Sequence, residues 1–293
     1  MKMQRPSMNL SVVIPLYNEA QNIGPLVTEI HRALEGSGRR YEIICVNDGS
    51  TDDTASALEI MANQDPALVV LLLYHRVGQT AALQAGLDAA RGDTVALMDG
   101  DGQNDPADLP AMLGRLSQGY DLVAGWRRVR RDRWLTRVLP SKFANALIGG
   151  VTGVRLRDHG CTLKVMRAEV AKALHLYSGL HRYVAVLARS KGARICEMQV
   201  NHRPRTQGQS KYGLGRTFRV LMDLLLVSSL YVYGVRPLYV LGGGGVLSGL
   251  CGAAICGWLA AEKLLFGAAL AQRPLLLLGA LLIVVGVQLV SLG

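Results

Sequence analysis

Two carboxylates one residue apart, Asp99 and Asp101, follow an apolar run from Thr94 to Met98, and Gln103 comes at the same interval. Side chains spaced this way at a strand end can turn their oxygens toward one hard divalent cation, with the Gln103 carbonyl as a further ligand. Mg²⁺ and Mn²⁺ take such oxygen sites and complete an octahedron with water and substrate phosphates. The chemistry implied is Lewis-acid support for a diphosphate. Asp, Gly and Asn are also turn formers, so an isolated Asp-x-Asp reads as a surface bend. The rest of the chain decides between the two.

The elements that would carry this stretch alternate regularly. Leu10–Leu16 is apolar, β-branched and stopped by Pro15, as a buried strand is. Asn22 is placed to cap a helix running to about Leu34. Tyr41–Asn47 is a second strand, and Thr51 or Asp52 can cap a helix to about Asn63. Leu68–Leu73 and Thr94–Met98 complete four strands, with helices over Gly78–Ala90 and Asp108–Gln118. This alternation predicts an α/β domain built on a mostly parallel sheet covered on both faces. Ligands on such sheets bind beyond the carboxyl ends of the strands. Pro15-Leu16-Tyr17-Asn18-Glu19, Asp48-Gly49-Ser50 and Asp99-Gly100-Asp101 all fall just after a strand, so three distant motifs should meet on one edge. No G-x-G-x-x-G follows the first strand and no G-x-x-x-x-G-K-[ST] is present, which disfavours a dinucleotide oxidoreductase and a P-loop enzyme.

Here the residues carry a resemblance. Val13-Ile14-Pro15-Leu16-Tyr17-Asn18-Glu19, Val46-Asn47-Asp48-Gly49-Ser50-Thr51-Asp52 and Asp99-Gly100-Asp101-Gly102-Gln103 stand in the order and spacing of family 2 glycosyltransferases with the Rossmann-like GT-A fold. The chain resembles these enzymes over roughly residues 9–235. Gln103-Asn104-Asp105-Pro106, Ala124-Gly125-Trp126-Arg127, Asp158-His159-Gly160-Cys161 and Arg205-Thr206-Gln207-Gly208-Gln209-Ser210-Lys211 narrow the resemblance to polyprenyl-phosphate glycosyltransferases, the branch of dolichol-phosphate mannose synthase and the bactoprenol glucosyltransferases.

That resemblance implies inverting transfer of a sugar from a nucleotide-diphosphate sugar to a polyprenyl phosphate. Asp99, Asp101 and Gln103 would hold Mg²⁺ or Mn²⁺, and Pro15, Tyr17, Glu19 and Asp48 would line the base and ribose. Gln79 lies in the next nucleotide-contacting loop. Arg127, Arg137 and Arg205 would take the acceptor phosphate, with Ser210, Lys211 and Lys142 as second-rank contacts. Asp158 matches an acidic position of the relatives, although capping or pairing with Arg155 or Arg157 is an alternative. Arginine suits these tasks because its fork makes paired, charge-assisted hydrogen bonds to phosphate. A family 2 transferase with another lipid or glycan acceptor, and a non-catalytic membrane-attached nucleotide-sugar binder, are the competing readings.

Charge and hydropathy fit this division of labour. Residues 1–114 hold 7 Lys/Arg against 15 Asp/Glu, net −8, whereas residues 115–219 hold 22 against 5, net +17. An acidic half suits a cation, and a basic half suits anionic groups or an anionic membrane face. The basic half lacks the aromatic interleaving of a nucleic-acid surface, and nucleic acid is not expected as a partner. Pro237–Ala261 is 25 residues without a charge and Pro274–Gly293 is 20, each long enough for a helix across a bilayer. They predict a transmembrane hairpin whose loop is Glu262–Arg273, preceded by an amphipathic interfacial segment at 214–236 and a catalytic domain at 1–213.

Met1–Asn9 is polar and Leu10–Leu16 is too short for a signal peptide, so the catalytic domain is expected on the cytosolic side of a bacterial inner membrane. Arg216, Arg219 and Arg236 before the first span agree. The five cysteines show no metal spacing and read as free thiols. Self-association is left open.

Overall fold

The computed structural model describes residues 8–127, 149–150, 153–203, 241–267 and 274–292. The chain divides into two compact units, Met1–Leu224 and Leu225–Gly293.

In the first unit, β1 (Leu10–Leu16), β2 (Tyr41–Asn47), β3 (Leu68–Leu72) and β4 (Thr94–Leu97) are joined by α1 (Ala20–Leu34), α2 (Thr54–Gln64) and α3 (Gln79–Ala89). A 3₁₀ turn at Pro106–Asp108 leads into α4 (Leu109–Ser117). Then come β5 (Leu122–Arg127), β6 (Lys164–Arg167), α5 (Ala168–Ala173), α6 (Val184–Ser190) and β7 (Ile195–Val200). The seven strands form one sheet in the order β3-β2-β1-β4-β6-β5-β7. β1 to β4 run parallel, β7 runs parallel to β5, and β6 alone is antiparallel to its neighbours β4 and β5. β1 is buried at every residue, as an apolar β-branched strand covered on both faces must be. α1 packs Ile23, Leu26, Val27, Ile30 and Leu34 against the sheet, the spacing of a single apolar stripe.

Helix starts differ from the sequence reading in α1 and α2. Asn22 is not the cap: α1 begins at Ala20 with Glu19 in the cap position, and the Asn22 amide donates to the Glu19 carbonyl at 2.9 Å. The turn after β1 is pinned instead across the sheet edge, where Asn18 N–H donates to Ser50 Oγ at 2.9 Å and Glu19 N–H to Thr54 Oγ1 at 3.0 Å. In α2 the cap position falls to Asp53, not Thr51 or Asp52, although Asp52 still anchors the first turn by accepting from Thr54 N–H at 3.1 Å.

The second unit holds α7 (Gly243–Phe266) and α8 (Pro274–Leu292), both long and apolar enough to cross a membrane. Their large apolar side chains face outward: Leu250 is 63% exposed, Trp258 70% and Leu277 74%. A core helix of a water-soluble domain would bury them. The helices run antiparallel and meet backbone to backbone, so that a Cβ on Gly245 would lie 2.6 Å from the Gly286 carbonyl oxygen and one on Gly252 2.5 Å from that of Gly279. Hydrogen in place of a side chain permits this approach. α7 runs through Glu262 and Lys263, which the charge pattern had assigned to the loop. Two charges in the last turn of a helix cost little once they reach the polar edge of a bilayer. The segment 214–236 lies outside the described residues.

Candidate active site

Because β2, β1 and β4 are adjacent and parallel, their carboxyl ends open on one edge. A cavity of about 220 Å³ there is lined by Pro15, Leu16, Tyr17, Glu19, Asp48, Arg76, Gln79, Asp99, Gly100 and Asp101. Seven of these are residues singled out by sequence, drawn from three strands and one helix start.

Asp48 is 3% exposed, and its carboxylate accepts from Val77 N–H at 2.7 Å and Gly78 N–H at 2.9 Å. Its oxygens thus hold the loop that begins α3, a task the sequence reading did not assign. Gly49 makes this possible: at φ +59° a Cβ would stand 2.4 Å from the backbone of His75 and Arg76, and only glycine avoids both penalties. The loop so held delivers Gln79, whose Nε2 donates to Asp99 Oδ1 at 2.8 Å. It also delivers Arg76, whose guanidinium stacks 4.0 Å from the centre of the Tyr17 ring. Arg76 went unremarked in the sequence, although it is the one Lys or Arg between Arg40 and Arg91. A lone cation in an acidic stretch is a usable signal.

The acidic loop is held by its own polar side chains. Asn104 accepts from Asp99 N–H at 3.0 Å and Asp101 accepts from Gln103 N–H at 3.1 Å. Gln103 does not line the cavity; its backbone carbonyl accepts from Arg203 N–H at 3.0 Å. Arg203 also donates to Asp105 at 2.8 Å and Glu29 at 2.7 Å, and Asn201 N–H donates to Asp108 at 2.7 Å. The end of β7 is thereby tied to the loop from Gln103 to Asp108.

Burial, and then the neighbouring Asp101 carboxylate, push the Asp99 pKa up to about 6, with Thr162, Lys164 and Arg127 pulling the other way. Two repelling carboxylates on one wall fit a divalent cation, which would relieve that repulsion. Among the described residues no group of three or more His, Cys, Asp or Glu could hold a metal. A cation bound here would take two carboxylates from the protein and the rest of its shell from water or a ligand's oxygens, the habit of Mg²⁺ and Mn²⁺.

Arg127 and Asp158 lie beside this cavity rather than in its wall. They form a two-point ion pair in which Asp158 is 1% exposed and Arg127 19%. The carboxylate of Asp158 is thus taken up by Arg127. Its loop is fastened by Glu197, which accepts from Arg157 N–H at 2.7 Å. The carboxylate partner holds the Arg127 pKa above its ordinary value despite burial. Behind this pair, His159 is 2% exposed, and burial and then Lys164 hold it down to about pKa 4, so it is neutral at pH 7. Lys164 itself was not singled out by the sequence reading, yet it is 2% exposed and interrupts an apolar strand. A larger cavity of about 570 Å³ opens by Trp126, Arg155, Arg157 and Glu197, with Arg157 stacked 4.4 Å from the Trp126 ring. Arg137, Lys142, Arg205, Ser210 and Lys211 lie outside the described residues.

Comparison with known proteins places this geometry among relatives. The model of the family described as "Glycosyl transferase family 2" matches residues 11–174. Dodecaprenyl-phosphate galacturonate synthase of Rhizobium johnstonii is 42% identical over 291 residues, 98% of this chain and 86% of that protein. Undecaprenyl-phosphate 4-deoxy-4-formamido-L-arabinose transferase of Pseudomonas aeruginosa is 36% identical over 290 residues, 97% of this chain and 83% of its own. Among solved structures, glucosyl-3-phosphoglycerate synthase from Mycobacterium tuberculosis, in complex with Mn²⁺, UDP and glucosyl-3-phosphoglycerate, superposes with a TM-score of 0.58 at 21% identity, covering 75% of this chain and 80% of that one. The same enzyme with Mg²⁺ and UDP gives 0.58 at 24% identity, over 75% and 79%. These superpositions carry the fold.

Proposed function

The chain belongs to glycosyl transferase family 2, and from that premise we propose that it moves a sugar from a nucleotide-diphosphate donor to a polyprenyl phosphate at a bacterial cytoplasmic membrane. One observation carries the reading: Asp99 and Asp101 share a single cavity with Pro15, Tyr17, Glu19, Asp48 and Gln79, at the carboxyl ends of adjacent parallel strands. Identity of 42% along nearly the whole chain to a dodecaprenyl-phosphate galacturonate synthase supports the acceptor class.

In this reading Pro15, Tyr17 and Glu19 bind base and ribose, and Asp48 shapes the pocket by holding the Val77–Gly78 backbone. Asp99 and Asp101 hold Mg²⁺ or Mn²⁺ against the donor diphosphate, with Gln103 contributing through its place in the loop. When bound, the cation offsets charge on the leaving diphosphate. Gln79 fixes Asp99 in orientation through its 2.8 Å hydrogen bond.

Arg127, Arg137 and Arg205, with Ser210 and Lys211, receive the acceptor phosphate. That phosphate is already ionised at neutral pH, so positioning and desolvation matter more than a strong general base. Asp158 orients Arg127 from its buried side. In-line attack by the phosphate oxygen on the sugar's anomeric carbon inverts its configuration.

The apolar helices α7 and α8 anchor the protein as a hairpin, with the domain over 1–213 on the cytosolic side and 214–236 at the interface. Membranes from cells expressing the full chain, given undecaprenyl phosphate, Mg²⁺ and a panel of UDP- and GDP-sugars including a UDP-uronate, should yield a polyprenyl-phosphate monosaccharide by mass spectrometry. Turnover of none of the panel would overturn the reading.

A further inference from the structure

Lys164 opens β6, opposite Leu97 on β4 and Ala124 on β5. Because β6 runs against β4, its first residue sits level with the carboxyl end of β4, two residues below Asp99, and three below Arg127 on β5. The side chain is 2% exposed. Its ammonium donates to the Cys161 carbonyl, and among the described residues it forms no salt bridge. Burial pulls its pKa below the ordinary lysine value; Cys161, Asp158 and Asp99 favour the charged ammonium, Arg127 opposes it, and the ammonium in turn favours the Asp99 carboxylate.

Such a placement is costly to the fold. An ammonium taken out of water without a carboxylate partner loses most of its solvation, and one carbonyl returns little of it. An apolar side chain of similar length would suit β6 better, since Leu163, Val165 and Met166 around it are fully buried. The local charges explain what the ammonium offsets. Asp99, Asp101 and Asp158 bring three negative charges to this end of the sheet, and Arg127 is engaged with Asp158 at both nitrogens of one edge. A donor diphosphate would add more negative charge. A fixed cation beneath the carboxylates lowers the cost of holding them together and of bringing the diphosphate in.

We propose that Lys164 is a positioning residue of the transfer site, its buried ammonium supplying the fixed positive charge beneath Asp99 and the Arg127–Asp158 pair that lets the site accept the metal-bound diphosphate. It touches neither donor nor acceptor. The inference rests on the glycosyltransferase reading of the same site.

The test compares full-length wild type, K164M and K164R in lipid nanodiscs, measuring UDP affinity in Mn²⁺ by calorimetry, sugar transfer, and thermal unfolding. K164M is expected to unfold no lower than wild type, to bind UDP at least 10-fold more weakly, and to transfer at least 100-fold more slowly. K164R, which keeps the charge, should stay within 10-fold of wild type in both. K164M with wild-type affinity and turnover overturns the proposal, as does K164R failing as badly as K164M. Should K164M not fold, K164Q takes its place under the same criteria, and failure of both to fold makes the lysine structural and overturns the proposal. A wild type that binds no Mn²⁺–UDP brings down the underlying reading instead, and this inference with it.

Discussion

Arg127 grips Asp158 along one edge of its guanidinium, Nε to Oδ2 at 2.7 Å and Nη2 to Oδ1 at 3.1 Å, where the carboxylate is 1% exposed. The pair fixes the plane of the fork and leaves Nη1 as the nitrogen outside it. An arginine held this way is pre-organised for an anion arriving from its open side.

That pairing changes what alanine should do here. Arg127→Ala takes the two-point partner from a buried carboxylate, so it is expected to lose about 3–5 kcal/mol of stability as well as activity. Asp158→Ala strands the arginine and should also be costly. The double variant should lose clearly less than the sum of the two. Urea or thermal unfolding of all four forms measures the coupling, and strictly additive losses would show that the pair contributes nothing jointly.

Transfer should require Mg²⁺ or Mn²⁺. Asp101→Ala should abolish turnover while the protein still purifies and unfolds like wild type, because Asp101 is a half-buried loop residue at the cavity and not part of the apolar core. Full activity in excess EDTA is the result that sinks the metal assignment.

The pH dependence follows from Asp99. Its pKa, pushed up to about 6 by burial and by Asp101, exceeds the value of an unfolded aspartate near 3.9. Without metal, the folded state holds an extra proton between the two values. That contribution to stability is fully present below about pH 4 and is lost as pH rises through 6. The same proton competes with the cation. Mn²⁺ should therefore raise the melting temperature more at pH 7 than at pH 5, and Asp99→Asn should flatten the difference. An equal Mn²⁺ effect at both pH values in wild type would refute the linkage.

How far the sequence revealed this protein depends on how local each signal is. Leu10–Leu16 and Tyr41–Asn47 were legible to the residue because strands covered on both faces read as predominantly apolar, β-branched runs. Pro15, Asp48, Asp99 and Asp101 are brought together by the strand pattern alone, since parallel strands send every loop after a strand to one edge. Asn22 misled because capping was read from residue type alone, whereas the turn is fixed by Ser50 and Thr54 from another strand's loop. Lys164 and Arg203 were silent for a similar reason. A buried lysine in one strand and an arginine spanning Glu29 and Asp105 acquire meaning only through partners far away in sequence.

The hairpin offers a prediction independent of the chemistry. Gly252→Leu places a side chain where a Cβ would already stand 2.5 Å from the Gly279 carbonyl, so α7 and α8 must part. Detergent-solubilised protein should melt or aggregate at lower temperature, with UDP affinity changed less than twofold. Gly257→Leu, on a face with nothing within 4 Å, is the control and should behave as wild type. Equal behaviour of the two variants would mean that the close contact contributes nothing to stability.

Arg203 places two parts of the chain in mechanical series. Its amide is fastened to the Gln103 carbonyl and its guanidinium to Asp105 and Glu29, so the chain just past β7 is riveted to the rim of the cation loop. Moving the end of β7 would therefore disturb Gln103 and Asp105 directly, so the loop that would grip a diphosphate owes its shape to a residue about a hundred positions away in sequence.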